Sequence, residues 1–159
     1  MVRSTTATEP PQLVPRTKKT KVQYQAYLSI VQAAEDMRRD FAELFRAYDL
    51  STPQYNVLRI LRGAGPDGLM CSDVSSRLLT HDSDVTRLLD RLDRRGLIER
   101  ARSTEDRRVV RAHITDVGLV LLASLDGPVD ALHQRQLGHV SQARLIEVST
   151  LLTDVRKQR

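Results

Sequence analysis

At 159 residues, with 40% hydrophobic side chains, 28% charged ones and a formal net charge of +5, the chain has the size of one ordinary domain with enough apolar content for a real core. A single cysteine excludes an internal disulfide framework and any multi-cysteine zinc site, and no apolar run approaches the ~18–20 residues of a membrane span. Met1 to Lys21 lacks the apolar stretch of a secretory signal, so a cytoplasmic protein without membrane contact is expected.

Residues 1–21 are rich in Pro, Thr and Lys, show no apolar period and read as a flexible basic tail. From Tyr24 to Tyr48 apolar residues recur every three or four positions (Tyr27, Val31, Ala34, Met37, Phe41, Leu44), which predicts one long amphipathic helix over 22–50. Ser51-Thr52-Pro53 then combines a hydroxyl N-cap with proline in the first turn, and a second helix runs to Gly63-Ala64-Gly65-Pro66. A turn at Asp67-Gly68 leads to a short helix over Ser72–Leu79, and Asp82 can cap a fourth that ends at Gly96. Leu97–Arg100 and Val109–Ile114 read as two strands of a hairpin joined by the polar loop 103–108. Thr115 or Asp116 caps a long helix in which Pro128 predicts a kink, and a last helix follows Ser141.

The fold class is therefore mainly α with a small β-hairpin wing. Two short helices joined by a tight turn and followed by a hairpin make a winged helix-turn-helix over 51–115. Long N- and C-terminal helices (22–50 and 116–159) carry more apolar surface than that module can cover, and dimerisation through them is the simplest way to bury it.

Charge position says more than its sum. The tail carries +4, the stretch Arg87–Arg111 carries +4 with nine arginines, and the remainder carries −3. On the fourth helix Val85, Leu88, Leu89 and Leu92 share one side. Ser83, Arg87, Asp90 and Arg94 share the other, flanked by Thr86 and Arg91. Arginine can bond guanine with two hydrogen bonds, and Ser or Thr can bond base edges or phosphate, so this face suits a DNA major groove. The same face also suits a solvated surface laced by ion pairs, since Asp90 and Arg94 are four residues apart. Asp106-Arg107-Arg108 in the hairpin loop places two cations where a wing reaches a phosphate or the minor groove, and the pairing of basic helix with basic hairpin favours DNA.

Five segments in order also resemble MarR-type transcriptional regulators: Thr52-Pro53-Gln54-Tyr55-Asn56-Val57-Leu58, Asp84 to Leu92, Arg95-Gly96-Leu97-Ile98, Asp106-Arg107-Arg108, and Ile114-Thr115-Asp116-Val117-Gly118. The similarity runs from about residue 24 to the C-terminus. It implies a homodimeric winged helix, paired through its first and last helices, that binds a palindromic double-stranded DNA operator, most often as a repressor. By the same resemblance the helix opening at Asp82 is the recognition helix. Ser83, Thr86 and Arg87 then approach bases or phosphates, and Arg91 approaches the backbone. Ser72 offers a hydroxyl to phosphate, Asp106 orients Arg108, and Arg107 or Arg108 enters the minor groove. Asp82 and Asp84 depart from this pattern, because they place two acids at the end nearest the DNA.

The resemblance further implies release by a small aromatic or phenolic effector bound between the dimerisation helices and the DNA-binding lobe. Tyr24, Tyr27, Phe41, Tyr48 and Tyr55 could line such a pocket, although core or dimer packing accounts for them as well. A thiol-redox regulator using Cys71, at the start of the third helix, is one alternative. The oxidation-sensing members carry their cysteine in the first helix, where this chain has none. A dimeric protein-interaction module without operator binding is the other. His81, His113, His133 and His139 are scattered without metal-ligand spacing, and no Gly-rich phosphate loop, nucleophile elbow or acid–base pair points to an enzyme or a cofactor.

Overall fold

The computed structural model describes residues 18–78, 85–102 and 109–157. Its helices are α1 (Lys18–Arg46), α2 (Thr52–Ala64), α3 (Cys71–Arg77), α4 (Val85–Arg94), α5 (Asp116–Leu137) and α6 (Gln142–Lys157). Three strands, β1 (Leu69–Met70), β2 (Ile98–Arg102) and β3 (Val110–Ile114), form one antiparallel sheet in the order β1-β3-β2. The chain divides into two compact units, Met1–Asp36 and Met37–Arg159. The described part of the first is the N-terminal stretch of α1, where Val22, Tyr24, Tyr27, Ile30 and Val31 are exposed. Helix α1 starts at Lys18, inside the segment read as tail, and stops at Arg46, short of the expected Leu50.

In the second unit local chemistry sets the element boundaries. Ser51 accepts a hydrogen bond from the Gln54 backbone N–H at 3.4 Å, and Gln54 Oε1 accepts one from the Ser51 backbone N–H at 2.8 Å. This reciprocal capping box satisfies two donors that the first turn of α2 would leave open, and Pro53 costs nothing there because its missing N–H has no partner to lose. Helix α4 ends through Gly96, whose φ of 67° only glycine adopts without strain. The Gly96 N–H donates to the Asp93 carbonyl at 2.8 Å and the Leu97 N–H to the Leu92 carbonyl at 3.0 Å, which closes the helix and turns the chain into β2. Leu92 and Leu97 are both buried on either side of that closure.

Strands β2 and β3 pair from Ile98 opposite Ile114 to Arg102 opposite Val110. Strand β1 was not expected from the sequence. It pairs Leu69 with Ala112 and Met70 with Arg111, a two-residue addition held further by the Arg111 guanidinium, which donates to the Asp67 carbonyl at 3.0 Å. Thr115 caps α5, its hydroxyl accepting from the Gly118 N–H at 3.1 Å and donating to the Gly96 carbonyl at 2.7 Å. A Cβ on Gly118 would collide with the Leu97 carbonyl, which is why glycine stands in the first turn. Helix α5 continues unbroken through Pro128.

The core gathers between α2, α4, α5 and the sheet. Val57, Leu58, Leu61, Val74, Leu92, Ala112, Leu122 and Leu125 are fully buried. Phe45 stacks on Tyr55 with ring centroids 4.1 Å apart, and Phe41 extends the stack to His133. Arg62 of α2 grips the Asp126 carboxylate of α5 with hydrogen bonds of 2.9–3.1 Å. Helix α6 buries none of its residues.

Candidate nucleic-acid interface

The amphipathic reading of α4 holds over the described residues. Leu88, Leu89 and Leu92 are buried, while Thr86, Arg87 and Arg91 are exposed. Ser72 is exposed on α3. Ser83 lies outside the described residues, as do Asp82, Asp84, Asp106, Arg107 and Arg108. Their expected roles therefore remain those drawn from the sequence. The structure does bring α3, α4 and the β2–β3 hairpin together in one unit, with the core of that unit behind them.

The ion pairs on α4 differ from the spacing-based expectation. Arg94 does not bridge to the Asp90 carboxylate; its Nε donates to the Asp90 backbone carbonyl at 3.2 Å. The carboxylate of Asp90 instead meets Arg100 of β2 at 2.5 Å, and the same guanidinium reaches Asp93 at 3.2 Å. A guanidinium that spans two carboxylates across a tertiary contact wins over a lone i,i+4 pair on one helix, because its planar fork satisfies both at once. Partial burial of Arg100 opposes its charge, yet the hydrogen bonds it donates to Asp93 and Asp90 outweigh that and hold it above its ordinary pKa. Arg95 is also engaged, bonding the Asp49 backbone carbonyl and lying 3.4 Å from the Asp49 carboxylate. Neither Arg100 nor Arg95 was singled out from the sequence. Their partners lie on other elements, and no local spacing signals them.

The other sequence candidates sort by burial. Cys71 is half-buried, and burial pushes its thiol above the ordinary value, against an opposing influence from Arg100. A thiol held protonated is a poor nucleophile, which disfavours the redox alternative. Tyr55 and Phe41 belong to the core and its margin, so packing accounts for them; Tyr24 and Tyr27 are exposed on α1. His133 packs against Phe41, and among the described residues no group of three or more His, Cys, Asp or Glu side chains could hold a metal ion. No helix of the described residues is long and apolar enough to cross a membrane.

The model of the MarR family matches residues 50–110, from the turn before α2 to the first residue of β3. The crystal structure of a MarR transcription factor from Planctomyces limnophilus is similar at 38% identity and a TM-score of 0.66, over 89% of this chain and 98% of that one. The chain belongs to the MarR family. It is thus a DNA-binding transcriptional regulator and not an enzyme. The chain is also 28% identical to the HTH-type transcriptional repressor IacR of Pseudomonas putida over 72% of this chain and 67% of that protein, so it matches about two thirds of the relative's length. A mutant of E. coli MarR complexed with operator DNA shares the fold at a TM-score of 0.74 and 23% identity, over 88% of this chain and 99% of that one. In this MarR-family chain α3 and α4 are the helix-turn-helix and β2–β3 the wing.

Proposed function

We propose that this regulator is a cytoplasmic homodimeric repressor that holds a palindromic operator and lets it go when a small aromatic or phenolic ligand binds. The observation that carries the reading is the exposed face of α4, with Thr86, Arg87 and Arg91, in one unit with the β2–β3 hairpin, between whose strands the sequence has Asp106, Arg107 and Arg108. Arg87, Thr86 and Ser83 read the major groove, Arg91 and Ser72 take phosphates, and Arg107 or Arg108, steadied by Asp106, enters the minor groove.

Dimerisation is supported by α6, where Ile146, Val148, Leu151, Leu152 and Val155 are exposed on a helix that buries nothing in its own chain. A second copy covers that face, and two-fold symmetry then presents two recognition helices to two half-sites. The working division is a basic tail (1–21), an N-terminal dimerisation helix (22–50), the DNA-binding lobe (51–115) and the C-terminal dimerisation helices (116–159). Repression is supported by the likeness to a relative named as a repressor. Ligand release is supported by a cavity of about 510 Å³ between α1 and α5, lined by Leu44, Leu132 and Arg135 among others, a size that takes a small molecule.

The test is selection of bound fragments from sheared genomic DNA, followed by a mobility-shift titration of the recovered duplex. Arg87→Ala combined with Arg108→Ala is expected to abolish the shift while the protein still elutes as a folded dimer. An unaffected double variant, or no specific fragment at all, overturns the site assignment.

A further inference from the structure

Arg100 is joined to α4 by contacts that involve none of the residues assigned to DNA. It belongs to the wing strand β2, opposite the fully buried Ala112 of β3, and it bridges Asp90 at 2.5 Å and Asp93 at 3.2 Å. Both acids stand on the helix that carries Arg87, Arg91 and Arg94. Its side chain is about one quarter exposed and those of the two acids somewhat over one third, so solvent screens the pairs only in part. Two consequences follow. The first is positional: strand and helix, separate in sequence, are fixed to each other by a fork with defined geometry. The second is electrostatic: two carboxylates on the arginine-bearing helix have their charge partly compensated by a cation from the wing, which weakens their repulsion of a nearby phosphate.

We infer that Arg100 is a positioning residue for DNA binding, which acts through Asp90 and Asp93 to set the wing against the recognition helix rather than by touching DNA. The inference rests on the reading of α4 and the hairpin as the DNA interface. Its expected effect is a loss of affinity that depends on the two acids being present. A residue that merely holds the fold together would lower thermal stability and leave the affinity of the folded protein unchanged. A residue that bonds a phosphate directly would lower affinity whatever stands at 90 and 93.

The experiment is a double-mutant cycle on the full chain, titrating a duplex recovered from sheared genomic DNA by the wild-type protein, at several salt concentrations. Arg100→Gln is expected to weaken binding roughly tenfold, within the range for groups coupled in one ion-pair network. In a background of Asp90→Asn with Asp93→Asn the same change is expected to cost less than about twofold, because its partners are gone. The slope of affinity against salt stays as in the wild type, whereas loss of a direct phosphate contact would reduce it by about 0.9. Arg100→Lys keeps the charge but not the fork, is the milder test of folding, and is expected to fall between wild type and Arg100→Gln. Equal losses in both backgrounds, a reduced salt slope, or a lowered melting temperature with unchanged affinity each overturn the inference. Arg87→Ala is run alongside: if it leaves binding intact, the interface reading fails on its own, separately from the role of Arg100.

Discussion

Leu92 of α4 and Leu151 of α6 are both leucines on amphipathic helices, yet the first is fully buried and the second more than half exposed. The DNA-binding lobe and α5 cover each other's apolar faces: Leu58, Leu61 and Leu92 of the lobe share one core with Leu122 and Leu125 of α5. Helix α6 has the same residue types at similar spacing and encloses none of them. The difference teaches that hydrophobic periodicity reports a face needing cover but not who provides it. In the lobe the cover is the same chain; on α6 the proposal is that a second chain supplies it.

Four variants break or sharpen that contrast. Leu92→Ala removes a side chain enclosed on all sides and is expected to destabilise the lobe by about 2–5 kcal/mol, read from denaturant unfolding. Gly118→Val drives a side chain into the Leu97 carbonyl and Ile114 and is expected to cost about 1–3 kcal/mol, with a lowered melting temperature as the sign. Retention of wild-type stability would show that α5 can shift away from the sheet. Asp126→Asn tests the contact between the lobe and α5. The hydrogen bond from Arg62 holds the Asp126 carboxyl below its ordinary value of 3.8, so its stabilisation is present above that pH and lost as pH falls through the lowered folded value. The variant's deficit in melting temperature is therefore expected at pH 7 and should vanish in strong acid. Smallest for the lobe itself is Ile146→Glu with Leu151→Glu, expected within about 0.5 kcal/mol for its intrinsic stability. On the dimer it should be decisive, shifting elution to the monomer and removing any dependence of melting temperature on protein concentration. An unchanged dimer would mean that α6 is not the surface that pairs.

What the amino-acid sequence disclosed follows from the range of the forces involved. Ser51, Pro53, Gly96 and Thr115 mark their boundaries because capping is settled by residues within four positions, and each was legible. Strand β1 was not, since two residues have no periodicity and become a strand only by pairing with β3. Similarly, the apolar and exposed faces of α4 could be read from a 100° rotation per residue, whereas the partner of Asp90 could not. Spacing pointed to Arg94 within the helix; the fold delivered Arg100 from the following strand, beyond the reach of any helical period.

The seam between α4 and α5 has a mechanical meaning. The Gly96 carbonyl accepts from the Thr115 hydroxyl, the Leu97 carbonyl accepts from the Thr115 N–H at 3.2 Å, and Gly118 leaves no gap above that carbonyl. The C-terminal end of α4 is thus tied to the beginning of α5, a helix about 33 Å long. At that length a tilt of one degree about that point displaces the far end by about 0.6 Å. The seam thus acts as the short end of a lever: whatever angle α5 takes at Thr115 is read out, enlarged, near Leu137.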